Sequence, residues 1–219
     1  MSFHFTEPIS PIVAKLTNFN NYTMNTNIPQ ILRNAFIKGF NMPEISWEGL
    51  AEIATHITVP KDYVLRKSNT VENNIYYIIT GSAGTFSTKN GKEVCLELCY
   101  DGEFFGDYAS ILTAVPSTLE ARTLEKSSIL QVPFLKLIEF YQRHDAILME
   151  KIGRLSAEFL FIAKQQQLID YQTLTAEERY LKLLRQRPDI LQRTPMKYIA
   201  SYLGITAESF SRIRKNISY

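Results

Sequence analysis

Cysteine is nearly absent from this chain, with only Cys95 and Cys99 among 219 residues. Two thiols cannot build a disulfide framework, nor supply the roughly four ligands of an iron–sulfur cluster, and such usage fits a reducing compartment. On one strand, four residues of rise put them ~13 Å apart, too far for a bridge to each other. Two small buried hydrophobes are therefore expected. His4, His56 and His144 are scattered without ligand spacing, so no metal site is expected. No apolar run approaches the ~18 residues that a membrane crossing takes. Met1 to Pro8 lacks a basic start followed by an apolar stretch, which predicts no secretory leader. There is no Gly-x-Ser-x-Gly elbow, phosphate loop or His-Glu-x-x-His, so enzymatic function is not expected. Asp101, Glu103 and Asp107 cluster, but around Gly102 and Gly106, where they read as solvated turn acids. A cytoplasmic, soluble, non-enzymatic protein is the reading that these absences leave.

Hydrophobic residues make up 45% and charged residues 21%, ordinary globular usage that excludes disordered and fibrous classes. The net charge of +2 is unevenly spread. Residues 176–219 hold nine basic and four acidic groups, a net +5, which leaves −3 for the remainder. A basic end on a slightly acidic body suggests a polyanionic partner.

Glycines at 81, 84, 91, 102 and 106 punctuate β-rich runs between about 57 and 132, such as Ile75 to Thr80 and Val94 to Tyr100, and Asn90-Gly91 signals a hairpin. A small antiparallel roll is expected there. Helix is plausible for Ile28–Phe40 and Ser46–His56, with the first ~25 residues a loosely packed arm. Pro133 suits the start of a short helix, Phe134–Arg143. In the longer helix that follows, Leu148, Ile152, Leu155, Phe159, Ile162, Gln166 and Ile169 recur at alternating steps of four and three. That is an a/d seam, and it predicts a homodimer, with Gln166 fixing register and Phe159→Asp dissociating the pair. The stripe could instead cover the chain's own roll. The chain breaks at Tyr171 to Thr175, a hinge, and Thr175 and Glu178 have capping-box spacing for a helix over Ala176–Arg187.

Pro195 to Lys215 is the most specific segment. Thr194 and Pro195 start a helix whose apolar face is Ile199, Ala200 and Leu203. Gly204 makes the turn, Ile205 plugs the junction, and Thr206 caps a second helix that buries Phe210 and Ile213. This is helix-turn-helix spacing. Thr206, Glu208, Ser209, Ser211, Arg212 and Lys215 fall on the groove-reading side. Arg212 suits a guanine edge and Glu208 a cytosine amine, whereas Lys197, Arg214 and Lys215 suit phosphates. The bland alternatives are a dipole-capping acid for Glu208 and solvent exposure for the arginines. With Tyr219 close behind the reading helix, phosphate contacts are expected elsewhere than a wing.

Residues 45 to 215 resemble the Crp/Fnr family of bacterial regulators. The resemblance rests on Tyr76 to Gly81, on Gly91 to Asp107, which looks like that family's strand into its ligand cassette, and on Ile205 to Arg214, similar to its reading helix. It implies an α+β chain: N-terminal helices and a β-roll sensor over 1–144, a dimerisation helix and hinge over 145–174, and a helix-turn-helix over 175–219. It implies a palindromic operator in double-stranded DNA and contact with RNA polymerase, with Glu208 and Arg212 at base-contacting positions. Ala207 stands where the cyclic-AMP receptor has arginine. The effector pocket would be Gly106, Asp107, Ser117 and Thr118. Cyclic-nucleotide binders carry Gly-Glu and then Arg-Ser or Arg-Thr in that cassette. Here Gly106-Asp107 is one methylene shorter, and Ala114 to Thr118 has no arginine, with Arg122 the nearest cation. Weak or no cyclic-AMP binding is therefore expected, with some other small-molecule effector or none. A haem on one of the histidines is disfavoured. The competing reading is a ligand-binding or protein-interaction module whose helix-turn-helix is vestigial.

Overall fold

The computed structural model describes residues 27–40, 47–144 and 146–217. The expected N-terminal arm, His4 and Ser46 lie outside these residues. Helices α1 (Ile28–Phe40) and α2 (Trp47–Ile53) lead into eight strands: β1 Thr55–Val59, β2 Val64–Arg66, β3 Asn74–Thr80, β4 Ser82–Lys89, β5 Lys92–Tyr100, β6 Phe104–Phe105, β7 Leu119–Thr123 and β8 Ser127–Pro133. Helix α3 (Tyr108–Thr113) interrupts them between β6 and β7. Then follow α4 Phe134–His144, α5 Ala146–Thr173, α6 Ala176–Gln186, α7 Ile190–Arg193, α8 Met196–Tyr202 and α9 Ala207–Asn216.

The strands form two antiparallel four-stranded sheets, β1-β8-β3-β6 and β2-β7-β4-β5. Between them Val59, Tyr76, Ile78, Ala83, Phe105, Ala121 and Ile129 make the roll's interior core. The outer side of the first sheet is sealed by helices, where Leu32, Trp47, Leu50, Leu137, Tyr141 and Ile152 pack on Tyr77, Leu130 and Val132. Asn90 and Gly91 both take positive φ, 52° and 73°, which matches the right-handed twist of the β4–β5 hairpin.

β5 holds a bulge that the sequence did not announce. Thr85 pairs with Glu97 while Phe86 pairs with Cys95, so Leu96 is the extra residue. Four residues of regular strand would place both cysteines on one face. The bulge separates them: Cys99 packs against the roll's interior, and Cys95 joins Phe86, Leu124 and Tyr198 on the outside. Both thiols are free, and burial pushes that of Cys95 up to about 12.

Several sequence boundaries move. The second helix ends at Ile53, and His56 lies in β1, its Nε2 at 2.7 Å from Ser128 Oγ. Pro133 closes β8 rather than opening the helix. The long helix runs through Thr173, past the expected break at Tyr171, so Leu174 and Thr175 alone join α5 to α6. The Thr175–Glu178 capping box is present in both directions.

Candidate nucleic-acid interface and effector cassette

The last four helices share one core. Tyr180 and Leu183 of α6, Ile190 of α7, Ile199 and Ala200 of α8 and Phe210 of α9 bury one another, with Leu203 between the last two helices. The Tyr180 and Phe210 rings meet edge to face at 4.9 Å. Gly204 takes φ 72°, and a Cβ there would stand 3.3 Å from the Tyr171 ring, so conformation and space both call for glycine. Thr206 caps α9, its Oγ1 accepting from the Ser209 backbone N–H at 3.2 Å. Thr194 is not a cap for α8. Pro195 takes that position, and Thr194 is buried, its hydroxyl 2.6 Å from Tyr100 Oη.

The outer side of α9 is open. Thr206, Glu208, Ser211, Arg212, Arg214 and Lys215 are exposed and Ser209 is half-buried. Glu208, Ser211, Arg212 and Lys215 stand three or four apart and so share a face. Glu208 is held below the usual carboxylate range by backbone N–H at the helix start and by the Thr206 hydroxyl. Arg214 leans on Met196, its Nη1 2.7 Å from the sulfur. Lys197 is set apart on α8, its Nζ 4.6 Å over the Tyr198 ring.

α8 presses its other side onto β5 of the roll. Ser201 Oγ accepts from the Cys95 N–H at 2.9 Å, and Tyr198 meets Phe86 edge to face at 4.9 Å. Around this contact, Arg187 pairs with Glu103, and Arg193 pairs with Asp101, with Glu125 at 2.8 Å and with the Gly81 carbonyl at 2.7 Å. Both guanidinium groups lie over the Tyr100 ring, at 4.5 and 5.3 Å. Asp101 and Glu103 are thus not solvated turn acids; they anchor the helical end to the roll. Burial raises the Glu103 pKa, against the pull of Arg187. Lys182 pairs with Asp170 at 2.5 Å, and Arg179 donates to the Leu174 and Leu203 carbonyls. Lys182, Arg187 and Arg193, three of the nine basic groups in 176–219, therefore meet acids of their own chain.

Along α5 the expected seam divides. Ile152 is buried in the chain's own helical core, and Leu155, Phe159 and Gln166 are half-buried, Gln166 donating to Asp170. Ile162 and Ile169 are 46% and 43% exposed, beside Phe161 and Leu168 at 67% and 57%. The Leu148 side chain lies outside the described residues.

At the cassette, β6 delivers Gly106 and Asp107 to the start of α3. Asp107 caps that helix, Oδ1 accepting from the Ser110 N–H at 3.0 Å, while Oδ2 accepts from the Ser117 hydroxyl. Gly106, Asp107 and Ser117 thus come together, and Thr118 is exposed. Arg122 is turned away. It lies 3.9 Å over the outer Phe86 ring and donates to Tyr198 Oη, with Glu93 and Glu120 as ionic partners. The buried cation on the cassette side is Arg66 of β2, which sequence reasoning passed over. Its Nε donates to Glu72 at 2.9 Å and its Nη1 to the Leu119 carbonyl at 2.6 Å. Its one sequence signal is an arginine that closes a short apolar run, Val64-Leu-Arg66.

The two-sheet roll with a capped helix between β6 and β7 lies within residues 56–144, which match the family model of the cyclic nucleotide-binding domain. Over most of its length the chain shares the fold of solved Crp/Fnr regulators. FixK2 of Bradyrhizobium japonicum superposes with a TM-score of 0.62 at 20% identity, over 75% of this chain and 84% of that one. A Eubacterium rectale protein assigned to the Crp/Fnr family of transcriptional regulators gives 0.61 at 14% identity, over 84% and 87%. The potassium channel KAT1 of Oryza sativa subsp. japonica is 26% identical over 114 residues, 52% of this chain but 16% of the channel. Among the described residues, no helix is long and apolar enough to cross a membrane.

Proposed function

We propose that this chain is a dimeric, cytoplasmic, sequence-specific DNA-binding regulator, without enzymatic activity, that reads a palindromic operator in double-stranded DNA and meets RNA polymerase there. The observation that carries this is the uncovered polar face of α9, with Glu208, Ser211, Arg212 and Lys215 outward and Phe210 inward on a shared core. The two helices are a helix-turn-helix, with α9 the helix for the major groove. Lys197, Arg214 and Lys215 take phosphates, and Thr206, Glu208, Ser209, Ser211 and Arg212 face bases. Residues 1–144 are the sensor, 145–174 the dimerising helix and hinge, and 175–219 the reader. Gel shifts on palindromic sites at several salt concentrations test this: specific binding falls steeply with salt as counterions are rebound. Arg212→Ala costs about 1–3 kcal/mol on the operator and relaxes one base pair. An equal loss on random DNA would make Arg212 a phosphate contact.

One observation favours the second reading, a protein-interaction module with a vestigial reader. Arg187, Arg193 and Lys182 are neutralised within the chain, which thins the charge left for DNA. Absence of salt-dependent DNA binding would select it.

Cyclic AMP is bound weakly or not at all, and the effector is some other small molecule or none. Ala114 to Thr118 holds no arginine, and Arg122 lies over the outer Phe86 ring. Titration calorimetry with cyclic AMP should show no low-micromolar binding; a low-micromolar isotherm would sink this part of the reading.

A further inference from the structure

Two buried polar atoms inside the roll stand in one line. Across the second sheet, Arg66 of β2 pairs with Ala121 of β7, and Ala121 pairs with Thr85 of β4. Residues directly opposite on neighbouring strands point to the same face, and Ala121 lies in the core between the sheets. Arg66 and Thr85 therefore flank a methyl side chain on the inner floor, with ~10 Å between their Cα atoms at ordinary strand spacing. They are 5% and 3% exposed. Arg66 Nη2 and Thr85 Oγ1 have no hydrogen-bond partner among the described residues. Buried polar atoms ordinarily find partners, and an orphaned guanidinium nitrogen is among the costliest exceptions. The same row continues to Glu97 of β5, which pairs with Lys164 of α5.

We propose that this floor is a binding site for a small organic acid. Its carboxylate meets Arg66 Nη2, and a neighbouring hydroxyl or carbonyl meets Thr85 Oγ1. The proposal deepens the effector reading, since it names the ligand class of the same roll. Glu72 and Asp107 are already supplied with donors, as Glu97 of the same row is by Lys164. Glu72 accepts from Arg66 Nε and from the Asn73 and Asn74 N–H groups, and Asp107 from Ser110 and Ser117. Their two charges still outweigh the single one of Arg66, which disfavours a dianionic phosphate. With Nε and Nη1 committed, the arginine offers one nitrogen, enough for one carboxylate oxygen and short of a bidentate fork.

The test is thermal unfolding of the full chain in chloride buffer, with lactate, pyruvate, inorganic phosphate and cyclic AMP as separate probes at millimolar concentration. Lactate or pyruvate should raise Tm, because a ligand bound only by the folded state stabilises it. Phosphate and cyclic AMP should have smaller effects. Thr85→Val keeps the shape and removes an orphaned hydroxyl, so it should raise Tm by a few degrees without probe. It should also weaken carboxylate binding about tenfold. Arg66→Gln with Glu72→Gln, which keeps a neutral pair, should abolish the carboxylate shift. No carboxylate shift, or a phosphate shift as large, overturns the proposal. So does a Tm that falls in Thr85→Val, which would show the hydroxyl holding a structural water. Gel shifts on the same variants separate the two ideas: wild type that binds an operator but ignores carboxylates refutes the site alone.

Discussion

Aspartate at Ile162 and Ile169 together should dissociate the proposed dimer into monomers. Helix α5 spans 28 residues, ~42 Å at the ordinary rise. Toward its C-terminal half it presents Phe161, Ile162, Leu168 and Ile169 with 43 to 67% of their surface uncovered. Such a strip is large enough to mark an interface, and a two-fold partner would cover it with the same strip. A carboxylate in such a seam, unpaired, costs about 3–5 kcal/mol, so dimerisation should weaken at least a thousandfold. Sedimentation at micromolar concentration reads the result directly, and palindrome binding should be lost with it. Phe159→Asp is a poorer probe, because Phe159 is half-buried and its loss also disturbs the chain's own packing. A double variant that still sediments as a dimer would remove this face of α5 from the interface.

Arg193→Ala should free the helical C-terminal end from the roll. One guanidinium holds Asp101, Glu125 and the Gly81 carbonyl, and lies over Tyr100. Its removal leaves two carboxylates half-buried without their cation. Breaking such a group costs several kcal/mol when fully buried. Here the side chains keep 20 to 34% of their surface, which screens them, so about 1–3 kcal/mol is expected. Urea unfolding measures that loss. Amide exchange should quicken across α6–α9 and along Gly81 to Glu103, while the interior of the roll stays protected. Rescue by Arg193→Lys should be partial, since lysine restores one charge but not three directed bonds. Unchanged exchange in Arg193→Ala would mean that the apolar contact of Tyr198 with Phe86 suffices.

The elements most open to sequence reasoning were those with a local cause. The Asn90-Gly91 hairpin, the Thr175–Glu178 capping box, Gly204 and the Thr206 cap each depend on two to four adjacent residues, and each is present. α1 likewise keeps its expected bounds. What stayed hidden depends on neighbours distant in the chain. Asp101 and Glu103 look like turn acids until Arg193 and Arg187 arrive from some ninety residues away. Arg122 looked like the cation nearest the cassette, yet strand alternation turns it outward, while Ala121 and Thr123 face in. Arg66 was passed over because a lone arginine in a three-residue strand carries no periodic signal. Ile152 fitted the dimer seam, but its side chain is claimed by the chain's own core.

The Asp101–Gly102–Glu103 turn has a mechanical consequence. Ile78 grips it from both sides, its carbonyl taking the Gly102 N–H and its N–H reaching the Glu103 carbonyl. Two residues of β6 then lead to Gly106 and Asp107. There is no slack in that path. Anything that tugs Asp107 away from Ser117 pulls on the same short length of chain to which Arg187 and Arg193 are tied, so the lever between the start of α3 and the C-terminal helices is about half a dozen residues long.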